Sequence, residues 1–306
     1  MKTVKDLCSI QENALNINVS DQIEQLDQLI NDQGNGTAFF EKTFITEGMK
    51  TMLTEGIARL AGKSSQALFH LKQAMGGGKT HLLVGFGLLA SQPDLRRTYI
   101  PHITHYGAFN TAQIAAFNGR NTPNQYFWGL IAEQLGKPQL FRQFWEGGPK
   151  APDESHWLEL FDGPDPVLVL LDEMPPYFEI LNTQQIGKGT VADIATRALA
   201  NLFSAAGKKS NVCVVVSDLT AAYQSGGAGI NHALENARQE LGRGERTITP
   251  VDLAGNEIYD ILRKRLFKGM PGKHAIDEIA AAFGKAISEA SRAKVIGRAA
   301  EAIADE

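Results

Sequence analysis

The segment 66–80, QALFHLKQAMGGGKT, joins an apolar run to a glycine cluster and then to Lys79 and Thr80 at the head of a second apolar stretch. A strand that passes through glycines into a buried helix is the setting a phosphate-binding loop requires. Gly76, Gly77 and Gly78 carry no side chain, so their N–H groups can turn toward an anion, and the start of the helix adds a favourable dipole. At this spacing Lys79 reaches the β- and γ-phosphates of a nucleotide, and the Thr80 hydroxyl ligates Mg²⁺. Gln73 stands where the general pattern G-x-x-x-x-G-K-T has its first glycine; the two glycines ahead of Gly78 can supply the missing freedom. The alternative is a glycine turn that merely precedes a helix.

A second group of residues supplies acid. The run 167–173, VLVLLDE, is apolar and branched until it ends in two carboxylates. Ligands of open α/β sheets bind at the carboxyl ends of strands, so Asp172 would emerge beside the glycine loop and hold Mg²⁺ through its water shell. Glu173 would then act as general base toward an attacking water. Alone, such a strand is as readily structural; its conjunction with the loop carries the reading.

Other candidates follow. Ser217 ends the run VCVVVS, where one hydroxyl could touch a γ-phosphate or the lytic water, or simply cap a helix. Arg238, Arg243 and Arg246 are candidates for an arginine finger that reaches a neighbouring subunit, with Arg246 first and Arg243 second, against ordinary surface arginines. His81 follows the loop and is either positional or packed beneath a nucleotide. His102 and His105 lack further ligands at metal spacing and read as a solvated loop pair. Tyr126, Phe127 and Trp128 fall on a helix, where core packing outweighs base stacking.

These residues need a scaffold, and the hydrophobic pattern describes one. Runs at 67–71, 112–117, 167–171 and 212–216 read as strands covered on both faces, with a weaker fifth at 247–253. Helical patterns alternate with them: 79–90, apolar almost all round, then 125–135, a helix opened by a capping box of Thr190 and Asp193, and 257–267. Ahead of the first strand, Ser20 or Asp21 can cap a helix bearing Ile23, Leu26, Leu29 and Ile30, and the stretch 31–37 reads as a turn. Thr46 can cap a further helix bearing Met49, Met52, Leu53, Ile57 and Leu60, which Gly62 stops. The expected fold class is α/β, a P-loop NTPase with a mainly parallel sheet flanked by helices, N-terminal helices and a short C-terminal helical segment. The expected division is a helical segment at 1–62, the ATPase core at 63–268 and a partial helical region at 269–306, with GMPG at 269–272 as linker.

Composition sets limits on function. The 306 residues are 43% hydrophobic and carry a formal charge of −4, which argues against a dominant nucleic-acid surface but leaves room for a local basic groove. Cys8 and Cys213 lie far apart, Cys213 within an apolar run, as expected of free thiols in a reducing compartment. The longest apolar stretch, 82–90, is about half of the ~20 residues a membrane span requires, and the first residues lack the apolar core of an export signal. A cytoplasmic protein without a membrane partner is expected.

Three stretches resemble a known family. FFEKTFITEGMKTMLTEGIARLAGK at 39–63, LKQAMGGGKTHLLVGFGLLA at 71–90 and EIYDILRKRLF at 257–267 look like a family of large bacterial AAA+ ATPases of poorly known function, often encoded beside DNA methyltransferases and helicases in anti-phage islands. The resemblance covers most of residues 1–268, and QAMGGGKTH is its most specific block. It implies an AAA+ core with Lys79, Thr80, Asp172 and Glu173 in their usual roles, and Gln73 is typical of the family. Members are usually much longer, so the chain reads as an N-terminal ATPase portion in which no segment clearly supplies the helical lid.

The function expected is Mg²⁺-dependent binding and hydrolysis of ATP, in a homo-oligomer, within a DNA-modification or anti-phage system that brings DNA or DNA-modification proteins as partners. The alternative is a nucleotide-gated interaction module with little or no turnover.

Overall fold

The computed structural model describes residues 8–11, 26, 36–73, 76–218, 228, 230–233, 235–236, 239, 244–252 and 255–292. The chain divides into two compact units, one of Gln22–Ile258 and one of Met1–Asp21 with Tyr259–Glu306.

In chain order the elements are β1 (Ser9–Ile10), α1 (Gly36–Lys42), α2 (Glu47–Leu60), β2 (Leu68–Lys72), α3 (Lys79–Ser91), α4 (Pro93–Tyr99), β3 (Gln113–Asn118) and α5 (Phe127–Gln134). Then come α6 (Glu154–Leu160), β4 (Val167–Asp172), α7 (Met174–Asn182), β5 (Gln185–Ile186), β6 (Gly189–Thr190), α8 (Val191–Lys208), β7 (Val212–Asp218) and β8 (Arg246–Ile248). The last are α9 (Glu257–Leu266), β9 (Phe267–Gly269) and α10 (Lys273–Arg292).

The larger unit is a mixed α/β fold around a five-stranded sheet of order β3-β4-β7-β2-β8, parallel at every pairing. Alternate side chains of a strand face opposite sides, and here both sides are buried. Leu168 and Leu170 of β4 and Cys213 and Val215 of β7 join one apolar cluster with Leu53, Ile57, Leu83 and Phe86 of α2 and α3. Val167, Val169 and Leu171 join the opposite cluster with Phe127, Trp128, Trp157, Leu199 and Phe203. Phe127 and Trp128 are therefore core residues, as their helical setting predicts, and each is fully buried.

The parity of β4 and β7 matters for chemistry. Asp172 shares the side of Leu168 and Leu170, and Ser217 shares the side of Cys213 and Val215, so both point toward the layer that contains α3.

Local signals place the helices. Thr46 caps α2, its side chain accepting from the Met49 N–H at 3.1 Å, and Gly62 follows the end of the helix at φ 70°. α3 follows Gly78, which sits at φ 78°, a region that favours glycine. Thr190 and Asp193 form the expected capping box of α8. The turn expected over 31–37 gives way at Gly36 to α1, because Phe39 and Phe40 are buried in the same cluster as α3. The helix expected after Ser20 falls outside the described residues except at Leu26.

The smaller unit pairs β1 with β9 antiparallel and contains α10; the Gln11 N–H donates to the Leu266 carbonyl at 2.9 Å. Among the described residues no helix is long and apolar enough to cross a membrane.

Candidate functional site

Asp172 is the centre of a compact polar cluster at the carboxyl end of the sheet. It is 1% exposed, and burial of a carboxylate demands partners. Its Oδ2 accepts from the Thr80 hydroxyl at 2.6 Å. Its Oδ1 accepts from the Ser217 hydroxyl and from the Glu173 N–H, the latter at 3.0 Å. Three elements converge on one carboxylate: the first turn of α3, the tip of β4 and the tip of β7. In the sheet order β7 lies between β2 and β4, so the glycine-loop strand and the acid strand stand two strand spacings apart, about 10 Å. That gap is bridged by Thr80 from one side and Ser217 from beneath.

The backbone of the glycine cluster is set for close approach. Gly76 and Gly78 have φ of 76° and 78°. A Cβ at Gly76 would meet no atom within 4 Å, so one face of the loop is open. Lys79 is buried, and its ammonium donates to the Gln73 carbonyl at 2.6 Å. Ala74 and Met75 lie outside the described residues.

Glu173 differs from its neighbour. Its backbone is left-handed at φ 52°, uncommon for a residue with a side chain and a feature that gathers at functional sites. One carboxylate oxygen, Oε2, is buried with no hydrogen-bond partner among the described residues. Burial and the adjacent Asp172 charge push its pKa up, opposed by Arg120 and Lys79. A half-buried carboxylate with an unused oxygen and raised basicity is a candidate proton acceptor.

The structure thus brings Lys79, Thr80, Asp172, Glu173 and Ser217 together with Gly76, Gly77 and Gly78. It does not bring Arg246 to them. Arg246 opens β8 in register with Phe69, below the loop end of β2, and its guanidinium pairs with Glu55 at 3.3 Å. Arg238 and Arg243 lie outside the described residues. His81 turns away from the glycines and stacks on Phe39 at 4.4 Å while sharing a hydrogen bond with Thr43 at 3.0 Å. His102 and His105 are exposed, as a solvated loop pair would be.

Two features escaped the sequence reading. The first is the turn after β3. Asn118 Oδ1 accepts from the Arg120 and Asn121 N–H groups, and the Gly119 N–H donates to the Asp172 carbonyl at 2.9 Å. A Cβ at Gly119 would fall 2.6 Å from the Glu173 carbonyl oxygen, so this glycine permits the approach that sets Arg120 near Glu173. The residue types Asn-Gly-Arg at the end of an apolar run were the available signal. The second is a clasp between Gln73 and Val251, for which adjacent sequence holds no sign.

Among the described residues, no group of three or more His, Cys, Asp or Glu could hold a metal ion by itself. Residues 9–97 match the family model described as the DUF499 N-terminal domain, a family of unknown function. The match takes in α1, α2, the glycine cluster and α3 and stops before the acid strand. No curated protein matches the chain.

Proposed function

We propose that this chain is a P-loop ATPase of the AAA+ type, which binds ATP with Mg²⁺ at the carboxyl end of its sheet and hydrolyses the terminal phosphoanhydride. The observation that carries this reading is the 2.6 Å hydrogen bond between the Thr80 hydroxyl and Asp172, which ties the residue after the lysine to the acid of the second strand across β7.

The residues present fit the ligand. Left-handed Gly76, open on one face, and left-handed Gly78 can present N–H groups to phosphate oxygens. Mg²⁺ usually keeps several waters and needs only one or two protein oxygens beside phosphate, which the Thr80 and Asp172 pair can supply. When bound, the ion would neutralise charge that develops on the transferred phosphoryl group. Lys79 exchanges the Gln73 carbonyl for phosphate oxygens. Glu173 receives the proton of the attacking water on its unpartnered oxygen. Ser217 orients Asp172 and the Glu173 peptide, to which its hydroxyl stands at 3.3 Å. A homo-oligomer, DNA and a role in DNA modification or phage defence belong to the same proposal and rest on the family resemblance.

Calorimetry with ATP and Mg²⁺, alongside a phosphate-release assay, tests the reading. Wild type is expected to bind and turn over. Lys79→Ala should weaken binding by at least about tenfold, whereas Glu173→Gln should bind and lose about 100-fold or more in turnover. No heat with wild type overturns the proposal; tight binding without turnover, with or without DNA, leaves a nucleotide-gated interaction module.

A further inference from the structure

Gln73 occupies the place of a glycine in the general loop pattern, and the structure gives that side chain a task. Its Nε2 donates to the Val251 carbonyl at 2.8 Å, and its Oε1 accepts from the Val251 N–H at 3.1 Å. The amide thus pairs with Val251 as a neighbouring strand would, across 178 positions of sequence. The same side chain lies over Gly77, where a Cβ would overlap its Cγ and stand 2.5 Å from its Cδ. Val251 in turn reaches the loop, its Cγ2 lying 3.4 Å from where a Cβ of Gly78 would be. The backbone carbonyl of Gln73 holds the Lys79 ammonium.

Val251 belongs to a strip that other groups tie down. The Thr46 hydroxyl donates to the Pro250 carbonyl at 2.5 Å. Glu257, the first residue of α9, accepts from the Asp252 N–H at 2.7 Å with one oxygen and from the Glu47 N–H at 2.7 Å with the other. One run of bonds therefore connects the glycine loop, the strip 250–252 and the first turns of α2 and α9.

We infer that Gln73 is a positioning residue that couples occupancy of the glycine loop to the strip 250–252, and through it to the start of α9. This rests on the nucleotide reading above. A triphosphate competes with the Gln73 carbonyl for the Lys79 ammonium, because a multiply charged phosphate is the stronger acceptor. As the Gly77 N–H turns toward phosphate, the Gln73 side chain packed on it is displaced, and its two bonds to Val251 open. A glycine at this position could bind phosphate equally well but would send no signal to Val251.

Hydrogen exchange of the full chain, with and without Mg²⁺ and a non-hydrolysable ATP analogue, tests this, with binding followed separately by calorimetry. In wild type the Val251 and Asp252 amides should exchange about fivefold or more faster when the analogue is bound. In Gln73→Ala they should already be fast and should not respond, while binding weakens by less than about tenfold. Gln73→Glu, which keeps the acceptor for the Val251 N–H and loses the donor, should lie between and serves if the alanine variant does not fold. Binding to wild type without a change at Val251 overturns the coupling and leaves the ATPase reading intact. A wild-type response in Gln73→Ala or Gln73→Glu overturns it equally, and failure of wild type to bind the analogue removes both.

Discussion

Glu173 joins a left-handed backbone to a carboxylate oxygen buried without a partner, and its acidity follows from that placement. Because burial raises its folded pKa, ionised Glu173 costs stability in full at pH values above that pKa, and the cost shrinks as pH falls from there toward the unfolded value of about 4.3 and is gone below it. Glu173→Gln should therefore raise Tm near pH 8, with the difference gone below about pH 4, as thermal unfolding across pH would record. The sign is informative, since under the proposed reading the same substitution costs about 100-fold or more in turnover. In wild type the acid limb of the rate profile should lie above the ordinary carboxylate range, because the base must be ionised to take a proton. Lys79, Thr80, Asp172 and Glu173 were legible in the sequence because each sits in a short contiguous pattern whose chemistry depends on spacing. Arg120 and Val251 were not, because what brings them to the site is a turn geometry and a pairing between remote segments.

At the scale of elements, the N-terminus of α2 and the turn after β3 hold the site's surroundings in place. Thr46 caps its helix and also donates to Pro250, so Thr46→Ala removes both and should cost about 1–2 kcal/mol in denaturant titration. Gly119→Ala places a methyl against the Glu173 carbonyl and the Tyr177 Cβ, each 2.6 Å away, and must shift the acid. A loss of about tenfold or more in phosphate release with little change in binding is the expected result. The four strong strands stand within two residues of where the continuous apolar runs predict them, since burial on both faces leaves a strong sequence signal. The fifth is shorter, Arg246–Ile248 rather than 247–253, because the residues beyond it leave the sheet to bond Thr46, Gln73 and Glu257. β1, β5, β6 and β9, of two or three residues each, carry no periodicity to read.

Over the whole molecule, two buried arginines join distant backbone. Arg59 donates to the carbonyls of Ser64, Ala206, Lys209 and Val212, which binds the end of α2 to the end of α8 and the start of β7. Arg96 donates to Leu89, Ala90, Tyr106, Phe109 and Asn110, and burial lowers its pKa to about 10. Neither looked exceptional as a residue type, since only the fold gathers those carbonyls. Arg59→Met should cost about 3 kcal/mol or more by leaving buried acceptors unpaired, measurable as a lowered denaturation midpoint at unchanged slope.

The sheet order sets a timetable for synthesis. β2 is the first strand of the sheet to be made, yet both of its neighbours, β7 and β8, are the last. While a ribosome extends the chain, the glycine-bearing segment must wait, apolar and unpaired, until residue 218 has emerged and β7 can join it, and its other edge waits for residue 248. Interrupted translation before that point would yield nascent chains that chaperones hold rather than a folded sheet, and pulse-labelled release of such stalled lengths should find them protease-sensitive.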